Sequence, residues 1–279
     1  MNFGGIDNHF TDYGKAKIVV IPVPFDATST WIRGADLGPA AILEASANME
    51  LYDIQTGKEV YLDGIHTTEP LGETTDPVKM TAGLEKQVAG VLKDGKFPVV
   101  IGGNHSVSIG SIRACAAHYE KITVVQLDAH TDLRPEYEGS PLNHACAMAR
   151  AAEVAEVIHI GIRSMCYEEL PFLKPENIYY AHDITGRSDW HEEAIAKTRG
   201  LVYITIDLDV FDPSVLPSTG TPEPGGMTYY EVYRFLAKVI QKHEVIGLDV
   251  VELCPNPAEK SSDFLASKLI YQLISLIIK

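Results

Sequence analysis

Six short runs rich in β-branched residues recur along the chain and limit the folds that it can adopt. They begin near residues 17, 97, 122, 156, 201 and 244. Segments with helical patterns lie between them, such as those that follow residues 38, 106 and 228. Continuously apolar strands that alternate with helices are typical of a parallel sheet covered on both faces. The sequence therefore predicts an α/β fold with three layers, α/β/α, around a central, mostly parallel sheet.

The whole chain, residues 1–279, is predicted to form a single domain. No repeat or linker divides it, and its 46% apolar content is enough to bury a large core. The Pro- and Gly-rich segment 211–226 lies between a strand and a helix, which favours a long active-site loop over a domain boundary. The apolar stretch 264–278 contains Lys268 and Gln272, and its apolar residues recur at helical spacing. This pattern predicts a packed terminal helix rather than a membrane span.

Charge and cysteine usage narrow the class of partner. A formal net charge of −15 argues against nucleic acid and against an anionic membrane surface, because both require basic patches. The same charge suits a small cationic substrate. The four cysteines form no C-x-x-C pair, and the start MNFGGIDNHF lacks the basic and apolar regions of a secretion signal. We therefore expect reduced thiols and a cytoplasmic location.

Polar clusters follow three of the predicted strands, in the segments IGGNHS, VVQLDAHTDLR and TIDLDVFDP. In open parallel sheets, ligands bind beyond the carboxyl ends of the strands. Alternate residues share one face of a strand at steps of about 6.6 Å, so a bend within the motif is needed for them to line one pocket. Such a pocket could hold more than one metal ion. The alternative is that the strand runs straight into a polar loop whose acidic side chains are solvated. The candidate ligands are His105, Asp128, His130, Asp132, Asp207 and Asp209.

The number of charges in these clusters favours two divalent ions over one. Four carboxylates bring about four negative charges into a pocket of low dielectric constant, and one divalent ion would leave about two of them uncompensated. No Lys or Arg lies between residues 200 and 233 to pair locally with Asp207. Oxygen donors with one imidazole for each metal favour manganese, although cobalt, iron and zinc use overlapping ligands.

These segments resemble the signature blocks of the ureohydrolases, the arginase and agmatinase family. The blocks are GGNHS at 102–106, DAHTD at 128–132 and IDLDVFDP at 206–213, and RGADLGPAAILEAS at 33–46 resembles a segment of agmatinase-like members. The resemblance covers most of the chain. It implies an arginase-like fold, an enzyme that hydrolyses a guanidino group to release urea, and a homo-oligomer, either a trimer or a hexamer.

The resemblance also implies how two Mn²⁺ ions per chain would be held. Asp128 and Asp207 would bridge the two ions. His105 and Asp132 would complete the ligands of one ion, and His130 and Asp209 those of the other.

Glu252, His144 and Asp132 are the expected catalytic residues. Glu252, in GLDVVELCP, matches the family's guanidinium-binding glutamate, and a carboxylate can receive a guanidinium through two parallel hydrogen bonds. His144, in SPLNHACAMAR, lies where the family has a second catalytic histidine that can pass protons near neutral pH. The His-Ala-Cys-Ala sequence there departs from the family, which commonly has Gly or Ser and then Pro. The other histidines, His159 among them, are expected at the surface or hydrogen-bonded in the core.

The segment LRPEYEGSPLN after Asp132 resembles agmatinases rather than arginases, so agmatine is the expected substrate and putrescine the second product. Arg134 would oppose the free amine of agmatine unless Glu136 or Glu138 pairs with it. Arginine, aminopropylagmatine and guanidino acids stay open as substrates. Two alternative functions are open for this chain. It could be a metal-dependent deacetylase, a class that normally uses a single zinc, or a non-catalytic protein stabilised by metal. The complete set of six ligands argues against both.

Overall fold

The computed structural model describes residues 1–279, and its eight strands form one sheet. The strands are β1 Ile18–Val23, β2 Ile65–Thr67, β3 Phe97–Gly102, β4 Ile122–Leu127, β5 Glu156–Ile162, β6 Ile178–Tyr180, β7 Leu201–Asp207 and β8 Val245–Val251. Their order in the sheet is β2-β1-β3-β8-β7-β4-β5-β6, and every neighbouring pair is parallel. The prediction of a central parallel sheet is confirmed.

Eight α-helices and several short 3-10 turns connect the strands. The helices are α1 Gly38–Ser46, α2 Pro77–Lys93, α3 Ser108–His118, α4 Ala147–Ala151, α5 Ala181–Ile184, α6 His191–Lys197, α7 Tyr229–Lys242 and α8 Ser261–Ile277. The 3-10 turns are Phe3–Gly5, Asn8–Phe10, Ala35–Leu37, Val60–Asp63, His105–Val107, His144–Cys146, Tyr167–Phe172, Pro175–Asn177 and Leu208–Val210.

Each face of the sheet packs on its own apolar core, as the three-layer prediction requires. On β1, Ile18 and Val20 belong to the core beneath α1, α7 and α8, whereas Val19 and Ile21 belong to the core beneath α2, α3 and α4. Side chains of a strand alternate between the two faces of its sheet, so a strand covered on both faces is apolar throughout. This is why all six β-branched runs became strands, which are β1, β3, β4, β5, β7 and β8.

The carboxyl-terminal apolar stretch forms α8, which packs against the sheet and against α1. Leu269 and Leu273 are fully buried, whereas Phe264 is 41% exposed at the start of the helix. No helix of the structure has both the length and the hydropathy of a membrane span. The prediction of a packed terminal helix is confirmed.

The order of the central strands decides where the chemistry lies. Strands β3, β8, β7 and β4 are consecutive in the sheet, although β8 is the last strand along the chain. The segments that follow these four strands carry all three polar clusters and Glu252. Because the strands are parallel, their carboxyl ends meet at one edge of the sheet.

Candidate metal centre and catalytic cavity

The six predicted metal ligands lie together at the carboxyl edge of the sheet. His105 follows β3, the DAHTD segment follows β4, and Asp207 is the last residue of β7. The 3-10 turn Leu208–Val210 bends the chain directly after β7, so Asp207 and Asp209 both face the same site. The bend that a polynuclear site required is therefore present.

The first group of candidate ligands surrounds the His105 imidazole. Its Nδ1 atom lies 3.0 Å from Oδ2 of Asp128, 3.0 Å from Oδ2 of Asp132 and 3.4 Å from Oδ2 of Asp207. All four residues are buried, and Nδ1 has no hydrogen-bond partner. Buried polar atoms are normally paired, so a lone nitrogen that faces three carboxylates fits a place for a shared cation.

The second group is centred on His130. Its Nδ1 atom lies 2.9 Å from Oδ2 of Asp209 and 3.5 Å from Oδ1 of Asp128. Asp128 therefore offers one oxygen to each group, as a bridging ligand would. Asp207 is placed with the His105 group, and its Oδ1 accepts a hydrogen bond from the Asp209 amide at 2.9 Å. Its bridging role stays a prediction.

The electrostatics of the cluster also fit bound cations. Burial raises the pKa of Asp207 well above its usual value, and the neighbouring Asp209 and Asp128 add to this effect. Burial opposes the charged form of His105, yet Asp128, Asp132 and Asp207 together raise its pKa well above 6.5. The raised pKa values show that these buried side chains tend to bind protons. Divalent cations bound between the same side chains would supply the positive charge instead. The donor set of carboxylate oxygens and imidazole nitrogens fits manganese or a similar hard ion.

Asp132 has a left-handed backbone conformation that its neighbours hold in place. Its φ is 51°, which is uncommon for a residue other than glycine. The buried Glu169 carboxylate accepts hydrogen bonds from the Thr131 hydroxyl at 2.5 Å and from the Leu133 amide at 2.8 Å. Glu169 therefore holds the residues on both sides of Asp132. Strained conformations of this kind persist where the surrounding structure fixes them, often at functional sites.

Glu252 lies directly after β8 and is in contact with the His105 turn. Its φ is 67°, and its Oε1 accepts a hydrogen bond from the His105 amide at 2.8 Å. The Glu252 amide in turn donates to the carbonyl of Gly103 at 2.7 Å. Burial raises the pKa of Glu252 to about 8, although the hydrogen bond from His105 opposes this shift. A guanidinium that binds beside it would stabilise the ionised form.

The close approach of backbone near Glu252 explains one glycine of the GGNHS block. A Cβ atom on Gly103 would lie only 2.0 Å from the carbonyl oxygen of Phe25. No larger residue fits at position 103 unless the backbone moves. The glycine therefore allows the turn after β3 to pack directly against the segment that follows β1.

His144 lines the same cavity and has a defined ring orientation. Its Nδ1 atom donates to the carbonyl oxygen of Thr28 at 2.7 Å, which leaves Nε2 without a protein partner. Burial lowers the pKa of His144 to about 4, so the ring is neutral at pH 7. Nε2 then carries the lone pair and can accept a proton within the cavity.

One cavity of about 290 Å³ joins these residues. Its carboxylates are Asp132, Glu169, Asp207, Asp209 and Glu252, and its only Lys or Arg side chain is that of Arg134. The Arg134 guanidinium stacks on the Tyr137 ring, with its central carbon 4.2 Å from the ring centre. Neither Glu136 nor Glu138 forms an ion pair with Arg134, so the pairing considered from the sequence is absent. The cavity is acidic, with a single cation at its rim.

Sequence reasoning missed Arg163 and Glu169, which hold the loops around the site. Arg163 donates to the carbonyl oxygens of Asp209 at 2.6 Å and Glu223 at 2.8 Å, and thereby fixes the loop that carries Asp209. Its position directly after β5 was a signal that could have identified it. Glu169 lies in the turn Tyr167–Phe172, far from any motif, and its hydrogen bonds to the DAHTD segment are visible only in the structure.

The buried His159 on β5 predicts a pH dependence of stability. Burial lowers its pKa from 6.5 to about 4, and its Nδ1 donates to Oε1 of Gln126. The unfolded chain therefore binds a proton between pH 6.5 and pH 4 that the folded chain does not bind. The stability due to neutral His159 is complete above pH 6.5 and is lost as the pH falls towards 4, by at most about 3 kcal/mol.

Urea unfolding of the metal-free protein at pH 7.5 and pH 5 measures this effect. We expect His159→Gln to lose less stability than the unsubstituted protein over this interval. The exposed His182 supplies a matched control, since His182→Gln should leave the pH dependence unchanged. An unchanged pH dependence in His159→Gln would contradict the prediction.

Comparison with known proteins identifies the family of the chain. Residues 16–275 match the Arginase family. The N(1)-aminopropylagmatine ureohydrolase of Synechocystis sp. is 40% identical over 275 residues, which are 95% of this chain and 90% of that protein. The agmatinase of Pyrococcus horikoshii is 31% identical over 270 residues, which are 95% and 93% of the two chains.

A solved structure gives the same result for the fold. The crystal structure of the agmatine ureohydrolase of Thermoplasma volcanium matches with a TM-score of 0.88 and 32% identity, over 99% of this chain and 94% of that one. The architecture is therefore the arginase-like α/β fold that the resemblance implied. Because the family match extends over nearly the whole chain, the protein belongs to the arginase family and is a ureohydrolase of the agmatinase-like kind.

Proposed function

We propose that this protein hydrolyses the guanidino group of agmatine to urea and putrescine, with two Mn²⁺ ions per chain. The observation that carries the proposal is the buried Glu252 carboxylate. It lines an acidic cavity next to two clusters of Asp and His residues that could each hold a metal ion. Arginase-family enzymes depend on a binuclear metal centre, and Asp128 offers an oxygen to each of the two groups here. Family members are typically oligomeric, and we propose a homo-oligomer of single-domain chains.

Each of the proposed catalytic residues has a place in this reaction. A pair of divalent ions, when bound, would lower the pKa of water from about 15.7 towards 7 and so supply a nucleophile at neutral pH. Glu252 would receive the guanidinium through two parallel hydrogen bonds and fix the position of its carbon. Asp132, which lines the cavity, would hold a proton for the departing nitrogen, and His144 Nε2 would move protons between the cavity and solvent.

The charges of the cavity favour a substrate whose far end is an amine. With Asp132, Asp207 and Asp209 offset by the bound ions and Glu252 facing the guanidinium, the cavity offers the α-carboxylate of arginine no cationic side chain other than Arg134, whereas the amine of agmatine needs no such partner. An unpaired carboxylate in such a site costs several kcal/mol, which corresponds to discrimination of about a hundredfold or more.

Aminopropylagmatine is the second candidate substrate. It also presents a guanidino group and an amine chain, and the Synechocystis relative at 40% identity is named for this compound. The two candidates share the site chemistry and differ in the length and charge of the part that leaves the cavity.

Urea release from agmatine, aminopropylagmatine, arginine and guanidinobutyrate at matched concentrations tests the proposal. We expect kcat/KM for agmatine to exceed that for arginine by about a hundredfold or more. A higher value for aminopropylagmatine than for agmatine would select the second candidate. Equal or better efficiency with arginine would contradict both.

Arg134→Ala gives the panel an internal control. Removal of the only rim cation should favour the two amine substrates and should lower the efficiency with guanidinobutyrate, whose carboxylate Arg134 could bind. The variant therefore separates the effect of Arg134 from that of the rest of the cavity.

A further inference from the structure

A second, fully buried polar cluster lies beneath the metal ligands, within the sheet. Asp249 on β8 and Thr205 on β7 are directly opposite each other in the parallel pairing, and both are 0% exposed. The Asp249 carboxylate has no Lys, Arg or His partner; its neighbours are hydroxyl groups. A carboxylate is expensive to bury, and nothing in the proposed reaction uses this one. Its presence therefore requires an explanation.

The hydrogen bonds form a chain from Asp249 to the metal ligand His105. The Thr205 hydroxyl lies 2.6 Å from Oδ1 of Asp249 and 2.9 Å from Nε2 of His105. A threonine hydroxyl has one hydrogen, and the carboxylate can only accept while it is ionised, so Thr205 donates to Asp249. Its oxygen is then an acceptor for the Nε2–H group of His105. The other ring nitrogen, Nδ1, is the one that faces Asp128, Asp132 and Asp207.

Further contacts fix the orientation of the Asp249 carboxylate. The Tyr203 hydroxyl donates to Oδ2 at 2.8 Å, so Oδ1 is left for Thr205. Tyr203 and Thr205 are two residues apart on β7 and thus share one face of the sheet. The Tyr203 hydroxyl is also close to the Ser111 hydroxyl on α3 at 2.8 Å. Both carboxylate oxygens are therefore held by groups on rigid elements.

We propose that Asp249 and Thr205 are positioning residues that hold His105 with its Nδ1 lone pair directed at the metal site. The ionised carboxylate polarises the Thr205 hydroxyl, which then accepts the Nε2 proton and makes Nδ1 the more basic nitrogen. The proposal rests on the proposed metal-dependent function, because it assigns a role towards a bound ion. Residues that orient a ligating histidine in this way commonly alter metal affinity by about 10- to 100-fold.

Metal titration of Thr205→Val tests the chain of hydrogen bonds. Valine has nearly the same shape as threonine but cannot accept the His105 proton. By calorimetry on the metal-free protein, we expect one of the two Mn²⁺ ions to bind about 10- to 100-fold more weakly and the other to bind as before. Thr205→Ser keeps the hydroxyl and should restore the affinity. Thr123→Val, a buried threonine on β4 that bonds the carbonyl oxygen of Arg199, is the matched control and should bind both ions normally.

Asp249→Asn provides a second route if Thr205→Val does not fold. It removes the charge but keeps an oxygen that can accept from Thr205, so it too should weaken one ion selectively. The double variant Thr205→Val/Asp249→Asn should bind that ion no more weakly than Thr205→Val alone, because both residues act through His105. Two effects that multiply would indicate separate structural roles and would overturn the proposal.

The outcomes distinguish this proposal from the proposed function. If the unsubstituted protein binds two ions and Thr205→Val binds both with normal affinity, the positioning role is wrong and the metal-dependent function stands. A protein without substitutions that binds no divalent ion would overturn both. Weakening of both ions to the same extent, with a lowered melting temperature of the metal-free protein, would indicate a general structural defect and would also overturn the positioning role.

Discussion

Asp207→Asn is expected to lose at least one of the two bound ions and to lower urea release by about a hundredfold or more. The proposal assigns Asp207 to both ions, and its Oδ2 is already 3.4 Å from the ligand His105. Removal of one partner from a buried set of charges costs about 3–5 kcal/mol, which is a change in metal affinity of roughly a hundredfold to several thousandfold. The unsubstituted protein should bind about two Mn²⁺ ions per chain, as the balance of four carboxylates requires.

Metal analysis after dialysis and activity during manganese titration measure this loss. The metal-free variant should be at least as stable as the metal-free parent, because burial already raises the pKa of Asp207 and Asn relieves the repulsion from Asp209. Asp183→Asn, the same substitution at an exposed site on α5, should keep both ions and full activity. Full activity of the parent with one ion would contradict the binuclear reading, and retention of both ions in Asp207→Asn would contradict the bridging role.

Glu252→Gln is expected to abolish most turnover while the metal content stays unchanged. Glu252 belongs to neither of the two groups of Asp and His residues, and its side chain accepts a hydrogen bond from the backbone amide of His105. Glutamine retains that acceptor but cannot pair with a guanidinium charge. Loss of one partner of a buried ion pair costs about 3–5 kcal/mol, so kcat/KM should fall by roughly a hundredfold to several thousandfold.

The stability of Glu252→Gln should move in the opposite direction to its activity. Burial raises the pKa of Glu252 to about 8 because an ionised carboxylate is costly there, and a neutral amide removes this cost. We therefore expect an equal or higher melting temperature together with the loss of urea release. Glu168→Gln, an exposed glutamate near the cavity, is the control and should alter neither property. Lost metal in Glu252→Gln, or near-normal kcat/KM, would contradict the assigned role.

The sequence by itself determined the layers of the fold and named the candidate metal ligands that the structure brings together. Strands buried on both faces must be apolar at every position, so their pattern is visible without any tertiary information, and six of the eight strands could be read from it. The two that were missed, β2 and β6, have three residues each and lie at the edges of the sheet. Such short edge strands are fixed by pairing with a neighbour, which leaves little pattern in the sequence.

The strand order and the second layer of contacts were decided only by the tertiary structure. Nothing in the sequence places β8 between β3 and β7, yet this order brings Glu252 against the His105 turn and Asp249 against Thr205. The same holds for Glu169, which reaches the DAHTD segment across 36 residues of chain. Which residues can bind a metal depends on their own side chains, so the candidate ligands can be recognised in short sequence motifs. The orientation of those ligands depends on hydrogen bonds between residues distant in sequence, which only the packed sheet brings within reach of each other.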